Sequence, residues 1–397
     1  MNTRHVLISG AGIAGPSLAY WLLKRGFAPT LVEQAPAPRG GGYMIDVWGV
    51  GWKSAERMGL LPRILRDGYR MDGLSIVNRH GRQVARMDSR HFGEALDGNF
   101  ISLLRGDLAM AIHARIDGKA EMLFDDGIEA IDQDDTGVNV TFRHAAPRRF
   151  DLVIGADGLH SRVRELVFGP HARFERSMGL GTASFIVPDY PHRDETRYVS
   201  YCVPGRQVAR YALRDNRTAF FFVFADPDGQ VIAQGRSDPR AALAQLYAHA
   251  GWECADITHA MQDCEELYFD SVNQVHMPHW HRGRVALLGD AAFCPSLLAG
   301  EGSAFAMLGA YVLAGELQQA EGHPATAFAA YEGHLQAYLR RKQKAAARLG
   351  HWFVPTTRPG VLMRNLVTTL ANTPPFSRWI LRDMINDGFV FPAYAAT

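Results

Sequence analysis

HVLISGAGIAGPSLAYWLLKRGFAPTLVE, residues 5–33, is the stretch on which the fold turns. HVLIS is a short apolar run ending at glycine, PSLAYWLLKRG (16–26) carries apolar residues at helical spacing, and FAPTLVE (27–33) is strand-like again. Gly10, Gly12 and Gly15 stand between strand and helix in the spacing G-x-G-x-x-G, with Ala14 inside the same loop. The first glycine allows a tight turn and the second lets backbone approach a pyrophosphate. The third lets helix and strand pack closely, and the helix N-terminus offers free N–H groups to the anion. Pro16 is tolerated because the first helical turn has no internal partner for its missing N–H. Glu33, 23 residues after Gly10, can accept hydrogen bonds from a ribose 2′-OH and would repel a 2′-phosphate. The site is therefore expected to hold FAD or NAD rather than NADP.

The rest of the chain is consistent with a sizeable α/β protein. Its 397 residues are long for one core, so two intimately joined domains are expected. Hydrophobic residues make 47% and charged residues 21%, and the formal net charge is +1, which gives no footprint for nucleic acid or an anionic surface. Cys202, Cys254, Cys264 and Cys294 form no Cys-x-x-Cys pair and no zinc spacing, so free thiols in a reducing cytoplasm and no metal are expected. MNTRHVLISG enters a strand almost at once and does not read as a signal peptide, and no apolar run has the length of a membrane span.

Two further glycine-rich sites follow. DLVIGADGLHSRVRELVFG (151–169) reads as a strand, a turn at Asp157-Gly158 and a short helix. ISLLRGDLAMAIHARI (101–116) reads as a helix with Arg105 and Asp107 near its start; taken alone, Arg105 reads as an ordinary solvated residue before it reads as a phosphate partner. GDAAFCPSLLAGEGSAF (289–305) is a loop almost bare of large side chains. Asp290 is expected to end a buried strand, where its charge needs a polar partner such as a polyol hydroxyl. Gly300 and Gly302 precede the next helix, so its N–H groups face whatever fills the crevice.

GAGIAG with Glu33, R-G-D-L (105–108), GADGLHSRVR (155–164) and GDAAFCPSLLAGEG (289–302), taken in order, resemble the single-component flavin monooxygenases of the para-hydroxybenzoate hydroxylase type. Within that superfamily GGGYMIDVWGVGWKSAERMGLLP (40–62) looks most like the tetracycline-inactivating monooxygenases and related tailoring hydroxylases. The resemblance implies a Rossmann-like FAD-binding domain (1–72, 101–175, 271–320), interleaved with a β-sheet substrate domain (73–100, 176–270) and followed by a C-terminal helical segment (321–397). It implies that Gly10, Gly12, Ala14 and Gly15 hold the FAD pyrophosphate, Glu33 the adenosine ribose, and Arg105 the phosphates. Asp157 would belong to the motif linked to both FAD and NAD(P)H. Asp290 would bind the ribityl or pyrophosphate region, and Leu297, Gly300 and Gly302 would lie beside the isoalloxazine ring. Two departures stand out: Phe293 where the family usually has histidine, and Ser296-Leu297 where it usually has a proline pair, with Pro295 one step early.

Only one dinucleotide fingerprint is visible, so no separate nicotinamide domain is expected; the resemblance implies that NADPH or NADH visits as the reductant. By the same resemblance, reduced flavin would react with O2 to give a C4a-hydroperoxide that hydroxylates an aromatic, polyketide-like or tetracycline-like small molecule. No single catalytic base is assigned. YVSYCVPGRQVARYALRDNRTAFFFVFADP (198–227) reads as strands with turns at Pro204-Gly205 and Arg214–Arg217. Phe220, Phe222 and Phe224 read either as core or, with Tyr201, Arg210 and Tyr211, as substrate-facing; Met44, Asp46 and Trp48 are placed on the flavin side of the same chamber. Residues 321–397 read as helices broken by Pro324, Pro355, Pro359 and Pro374-Pro375, with WILRDMIN (379–386) a surface-packed closing helix. A monomer or weak homodimer is expected. Two other readings share the fold: a flavin-dependent reductase or dehydrogenase, and a flavin-binding protein without turnover.

Overall fold

The computed structural model describes residues 4–38, 40, 42–191, 193, 196–373 and 388–395. A six-stranded sheet runs in the order His281–Arg282, Val285–Leu287, Leu152–Gly155, His5–Ser9, Ala28–Val32, Glu121–Leu123. All neighbours are parallel except the antiparallel edge strand His281–Arg282. Val6, Leu7, Ile8, Leu152, Val153 and Ile154 are fully buried, the continuous apolar runs that a parallel sheet covered on both faces requires. His5–Ser9 lies between Ala28–Val32 and Leu152–Gly155, so the chain leaves it on both sides and a crevice opens at its carboxyl end.

A seven-stranded sheet takes the order Leu267–Val275, Glu175–Pro188, Arg217–Ala225, Arg206–Ala212, Arg197–Val203, Gly73–Val77, Gln83–Asp88. The three strands expected from 198–227 form with the predicted turns between them. Leu267–Val275 straddles residue 271, where the sequence suggested a domain border. One face of this sheet is closed by the helices Pro239–Tyr247 and Cys254–Ala260 over Phe185, Phe220, Phe222, Phe224, Leu243 and Ile257. The other face looks toward the two-stranded ladder Met44–Val47 with Ile101–Leu104.

That ladder corrects one expectation. Residues 101–104 are strand, and the helix starts only at Arg105 and runs to Ile116. Leu104 is extended at the helix N-terminus, and all four strand residues are buried by pairing with Met44–Val47. A four-residue apolar run before a helix has no periodicity of its own, so only the pairing partner distinguishes it from an extra helical turn.

The helix Gly302–Gln319 is buried on nearly every side, and the helix Pro324–Phe353 packs along it. Pro324 and Pro359 fall in the first turns of Pro324–Phe353 and Arg358–Leu370, and Pro355 lies between the two helices. Residues 388–395 strap back onto Gly302–Gln319: Tyr311 donates to the Pro392 carbonyl at 2.8 Å and Tyr394 to Glu316 at 2.6 Å. Pro374-Pro375 and WILRDMIN lie outside the described residues. No described helix is long and apolar enough to cross a membrane. All four cysteines are buried and free, and no metal-ligating cluster occurs among the described residues.

Candidate functional site

A cavity of about 420 Å³ starts at the fingerprint loop and runs between the two sheets to Tyr43, Tyr268 and Leu297. It lies within the roughly 300–1,000 Å³ usual for small-molecule and cofactor sites. The fingerprint end is built on close backbone contact. A Cβ on Gly10 would lie 2.5 Å from the Ala156 carbonyl oxygen, and one on Gly15 would lie 1.9 Å from that of Gly10. Neither position admits a side chain. A Cβ on Gly12 would meet only the Arg105 guanidinium, at 3.5 Å, so this backbone is open to the cavity. Ala14 lines the same wall, whereas Gly15 does not reach the cavity and acts through packing alone.

Glu33 braces the loop. Its carboxylate accepts from the Ala11 N–H at 2.8 Å and the Ala35 N–H at 3.0 Å. His113 Nε2 lies 2.7 Å from the Ala11 carbonyl oxygen. Arg105, at the start of its helix, lines the cavity beside Gly12 and within electrostatic reach of Asp290.

Asp157 also lines the cavity, but its carboxylate is engaged in holding two elements together. It accepts from Ser161 Oγ at 2.5 Å, from the Val163 N–H at 3.1 Å and from Ser9 Oγ at 3.4 Å. Asp157 thereby joins the end of the first strand to the start of helix Arg162–Phe168, whose N-cap is Ser161. Burial pushes its carboxyl above the usual range, against those hydrogen bonds.

Asp290 does not end a strand. The strand stops at Leu287, Gly289 turns with φ +66°, and Asp290 opens the four-residue helix Asp290–Phe293. Burial raises its carboxyl, opposed by the Arg105 charge and the Cys294 thiol. Phe293 turns away from the cavity into the core, 4.9 Å from the Trp280 ring, so this departure leaves the cavity wall untouched. The second departure does touch it. Ser296 is buried at φ +109° and caps the turn Leu297–Ala299, accepting from the Leu298 N–H at 3.2 Å. Gly300 closes that turn in the left-handed region, and Gly302 starts the long helix 3.5 Å from Asp290 as judged from an added Cβ.

Two buried glutamines hold this loop. Gln274 Nε2 donates to the carbonyls of Pro295 and Gln343, both at 2.8 Å. Gln343 Nε2 donates to those of Val275 at 2.6 Å and Cys294 at 3.1 Å. Lys342 and Glu301 pair at 2.6 Å beside them. The helix Pro324–Phe353 and the strand Leu267–Val275 thus set the loop's position, a role no local motif announces.

Strand parity separates the six substrate-side candidates. Met44, Asp46 and Tyr211 come together between ladder and sheet, where Tyr211 accepts from the Met44 N–H at 3.2 Å. Tyr201, Arg210 and Phe222 face the opposite, helix-covered side, which corrects the expectation for all three. Tyr201 donates to the Ala250 carbonyl, Arg210 pairs with Glu253 at 3.0 Å, and Phe222 is fully buried against Tyr247. Neighbours on a strand point to opposite faces, so Arg210 and Tyr211 could never share one chamber. Tyr43, Phe221 and Tyr268 are the aromatics the sequence reading missed; Tyr43 lies 5.5 Å from Tyr268 and 6.2 Å from Phe221 between ring centroids. The alternation Phe220, Phe222, Phe224 against Phe221 and Val223 was visible in the sequence.

At the mouth, His160 Nε2 lies 3.2 Å from Asp270 and its Nδ1 3.8 Å from Glu175. These hydrogen bonds, Asp270 first, push the imidazole from 6.5 up to about 10. A raised pKa contributes stability that is complete below pH 6.5 and lost as pH climbs toward about 10. The melting-temperature difference between wild type and His160→Gln should therefore shrink steadily across that window. A difference independent of pH would remove the assignment.

Residues 3–348 match the family described as FAD binding domain. The chain is 34% identical over 86% of its length to a flavin-dependent monooxygenase from an unknown prokaryotic organism, covering 88% of that protein. It is 32% identical over 85% of its length to a flavin-dependent monooxygenase of Legionella longbeachae serogroup 1 (strain NSW150), covering 87% of it. Among solved structures, the tetracycline destructase Tet(51) superposes with a TM-score of 0.85 at 30% identity, covering 99% of this chain and all of that one. With the fingerprint, the acidic strand end and the small-residue loop meeting in one cavity, the chain belongs to the FAD-binding-domain family, as an FAD-dependent monooxygenase of the para-hydroxybenzoate hydroxylase type.

Proposed function

We propose that this monooxygenase uses NADPH or NADH and O2 to hydroxylate an aromatic, polyketide-like or tetracycline-like small molecule. The observation that carries the reading is the continuity of one cavity from the fingerprint loop to the aromatic walls Tyr43 and Tyr268. The residues present fit FAD: an open Gly12 backbone faces an arginine, and a buried carboxylate at Asp290 faces a polyol's place. Backbone at Gly10, Gly12 and Ala14 would hold the pyrophosphate, with Arg105 supplying charge. Glu33 would reach the ribose, Asp290 the ribityl hydroxyls, and Leu297, Gly300 and Gly302 would lie against the ring. When bound, FAD supplies the two-electron acceptor for the nicotinamide and the centre that activates O2. The protein's own part is to orient the substrate and to exclude water with Tyr43, Tyr268 and the loop 294–302. The likeness to a tetracycline destructase supports a polycyclic, hydroxyl-bearing substrate.

The test is anaerobic stopped-flow reduction of the holoprotein by NADPH and by NADH, with and without tetracycline, phenols and naphthols, followed by aerobic turnover in ¹⁸O2. Reduction with label entering one of these compounds is the expected result. Reduction without label in any product would make the protein a reductase, and no reduction would leave a flavin carrier.

A further inference from the structure

The whole-chain net charge of +1 conceals a local excess. Residues 333–373 hold seven lysines and arginines and no aspartate or glutamate. Lys342 is paired with Glu301 at 2.6 Å, and Arg364 is buried, donating to Gln207 at 2.6 Å and to the Phe353 carbonyl at 3.3 Å. Arg341, Lys344, Arg348 and Arg358 are exposed and meet no carboxylate among the described residues. On the helix Pro324–Phe353 the first three recur at intervals of three and four residues, and the exposed Trp352 follows at the next interval of four. That spacing lays all four along one stripe of the helix.

The helix Arg358–Leu370 comes next, and its apolar stripe faces outward. Arg364 anchors its inner side. Just past its end, Asn372 donates to the Arg86 carbonyl at 2.6 Å and accepts from the Asp88 N–H at 2.8 Å. Leu362, Met363, Leu366 and Leu370 are left between 40% and 70% exposed. Leu362, Leu366 and Leu370 recur every four residues with Met363 beside them, so they form one continuous face. A helix packed on a core turns such a face inward, and contiguous exposed apolar surface marks a contact site. Charge decides what the contact is with. A second copy meeting this face would bring like charges together. Nucleic acid would use the arginines and leave the leucines in water. An anionic bilayer satisfies both, since its phosphates attract the basic residues and its acyl boundary takes the apolar ones.

We propose that the helix Arg358–Leu370 docks the protein on the surface of an anionic lipid bilayer. Leu362, Met363, Leu366 and Leu370 enter the boundary between headgroups and acyl chains, and Arg341, Lys344, Arg348 and Arg358 meet lipid phosphates. No described helix could cross a bilayer, so the attachment by this face is peripheral and reversible. It stands independently of the flavin-site reading, because none of these residues lines the cavity.

The experiment is co-sedimentation of the full-length, FAD-loaded protein with two kinds of vesicle, phosphatidylcholine alone and three parts phosphatidylcholine to one part phosphatidylglycerol. Wild type should bind the mixed vesicles at least about tenfold more tightly than the neutral ones, and high salt should release it. L362Q/L366Q and K344E/R348E should each weaken binding to the mixed vesicles by about tenfold or more. Both should keep the wild-type flavin absorbance and melting temperature, because the four side chains are exposed. No binding to either vesicle, equal binding to both, or variants that bind as wild type does would overturn the proposal. Sedimentation velocity without lipid and retention on duplex DNA test the other occupants. A dimer dissolved by L362Q/L366Q with no vesicle binding would give the face to a second copy. DNA retention lost in K344E/R348E with no vesicle binding would give it to nucleic acid. Either result refutes the membrane assignment.

Discussion

Gly15→Val should yield a chain that retains no FAD and melts well below wild type or fails to accumulate in soluble form. The added Cβ alone would lie 1.9 Å from the Gly10 carbonyl oxygen and 3.2 Å from Ile8 Cγ2. The first contact is backbone in the tightest turn of the fold, and Ile8 is fully buried, so neither can yield without moving the central strand. The penalty belongs with the severe overpacking class, about 4 kcal/mol or more. Gly12→Ala is the control. Its Cβ meets only the flexible end of Arg105, so the protein should fold with near-wild-type stability and lose cofactor affinity, since the methyl occupies the pyrophosphate's approach. Flavin absorbance per protein, with thermal melts in the presence and absence of added FAD, separates the two. A Gly15→Val protein that is yellow and normally stable would sink the close-packing account of the fingerprint.

Arg164→Met should cost about 3–5 kcal/mol, as expected when one partner of a buried charge pair is removed. Arg164 has no exposed surface, and its guanidinium donates to the Ala291 carbonyl at 3.1 Å, the Leu159 carbonyl at 2.6 Å and Glu175 at 2.5 Å. Burial lowers its pKa, with Glu175 the largest opposing influence. Removing the arginine strands two carbonyls and leaves Glu175 to the histidines His160 and His171 and the Asn273 amide. Because Ala291 follows Asp290 directly, the substitution should also loosen flavin retention. The measurement is denaturant unfolding of R164M, E175Q and the double variant. The double variant should be less destabilised than the sum of the singles by at least about 1 kcal/mol, the signature of coupled partners. Strict additivity, or a loss below about 1 kcal/mol for R164M, would show that the buried cluster is not a unit.

Arg164 illustrates how far the sequence could be read. DLVIGADGLHSRVRELVFG announced a strand, a turn and a helix, and each forms. Nothing in the spacing said that the arginine eight residues after Ala156 would be swallowed whole while the histidine at 160 stays half in solvent. The same holds for Asp157. Its motif placed it at the cavity, yet its oxygens are already committed to Ser9, Ser161 and Val163. Phe293 was conspicuous as a departure from the family pattern and proved to pack on Trp280, outside the cavity. Gln274 and Gln343, which fix the loop beside the proposed ring, were not conspicuous at all, because their partners lie 69 residues apart in the chain.

What the sequence determined by itself was what strong local backbone signals carry, the glycine turns and proline breaks, and not the weak boundaries at 101–104 and Asp290. The fingerprint turn, the helix breaks at Pro324, Pro355 and Pro359, and the three strands around Pro204-Gly205 and Arg214–Arg217 all follow from residues close together in the chain. Which face of a strand looks at the cavity was decided only by the tertiary structure. Period-two alternation divides Tyr201, Arg210 and Phe222 from Tyr211 and Phe221 without saying which set is inside. The helices Pro239–Tyr247 and Cys254–Ala260 settle that by covering the first set, leaving the second to pack toward the ladder Met44–Val47 with Ile101–Leu104.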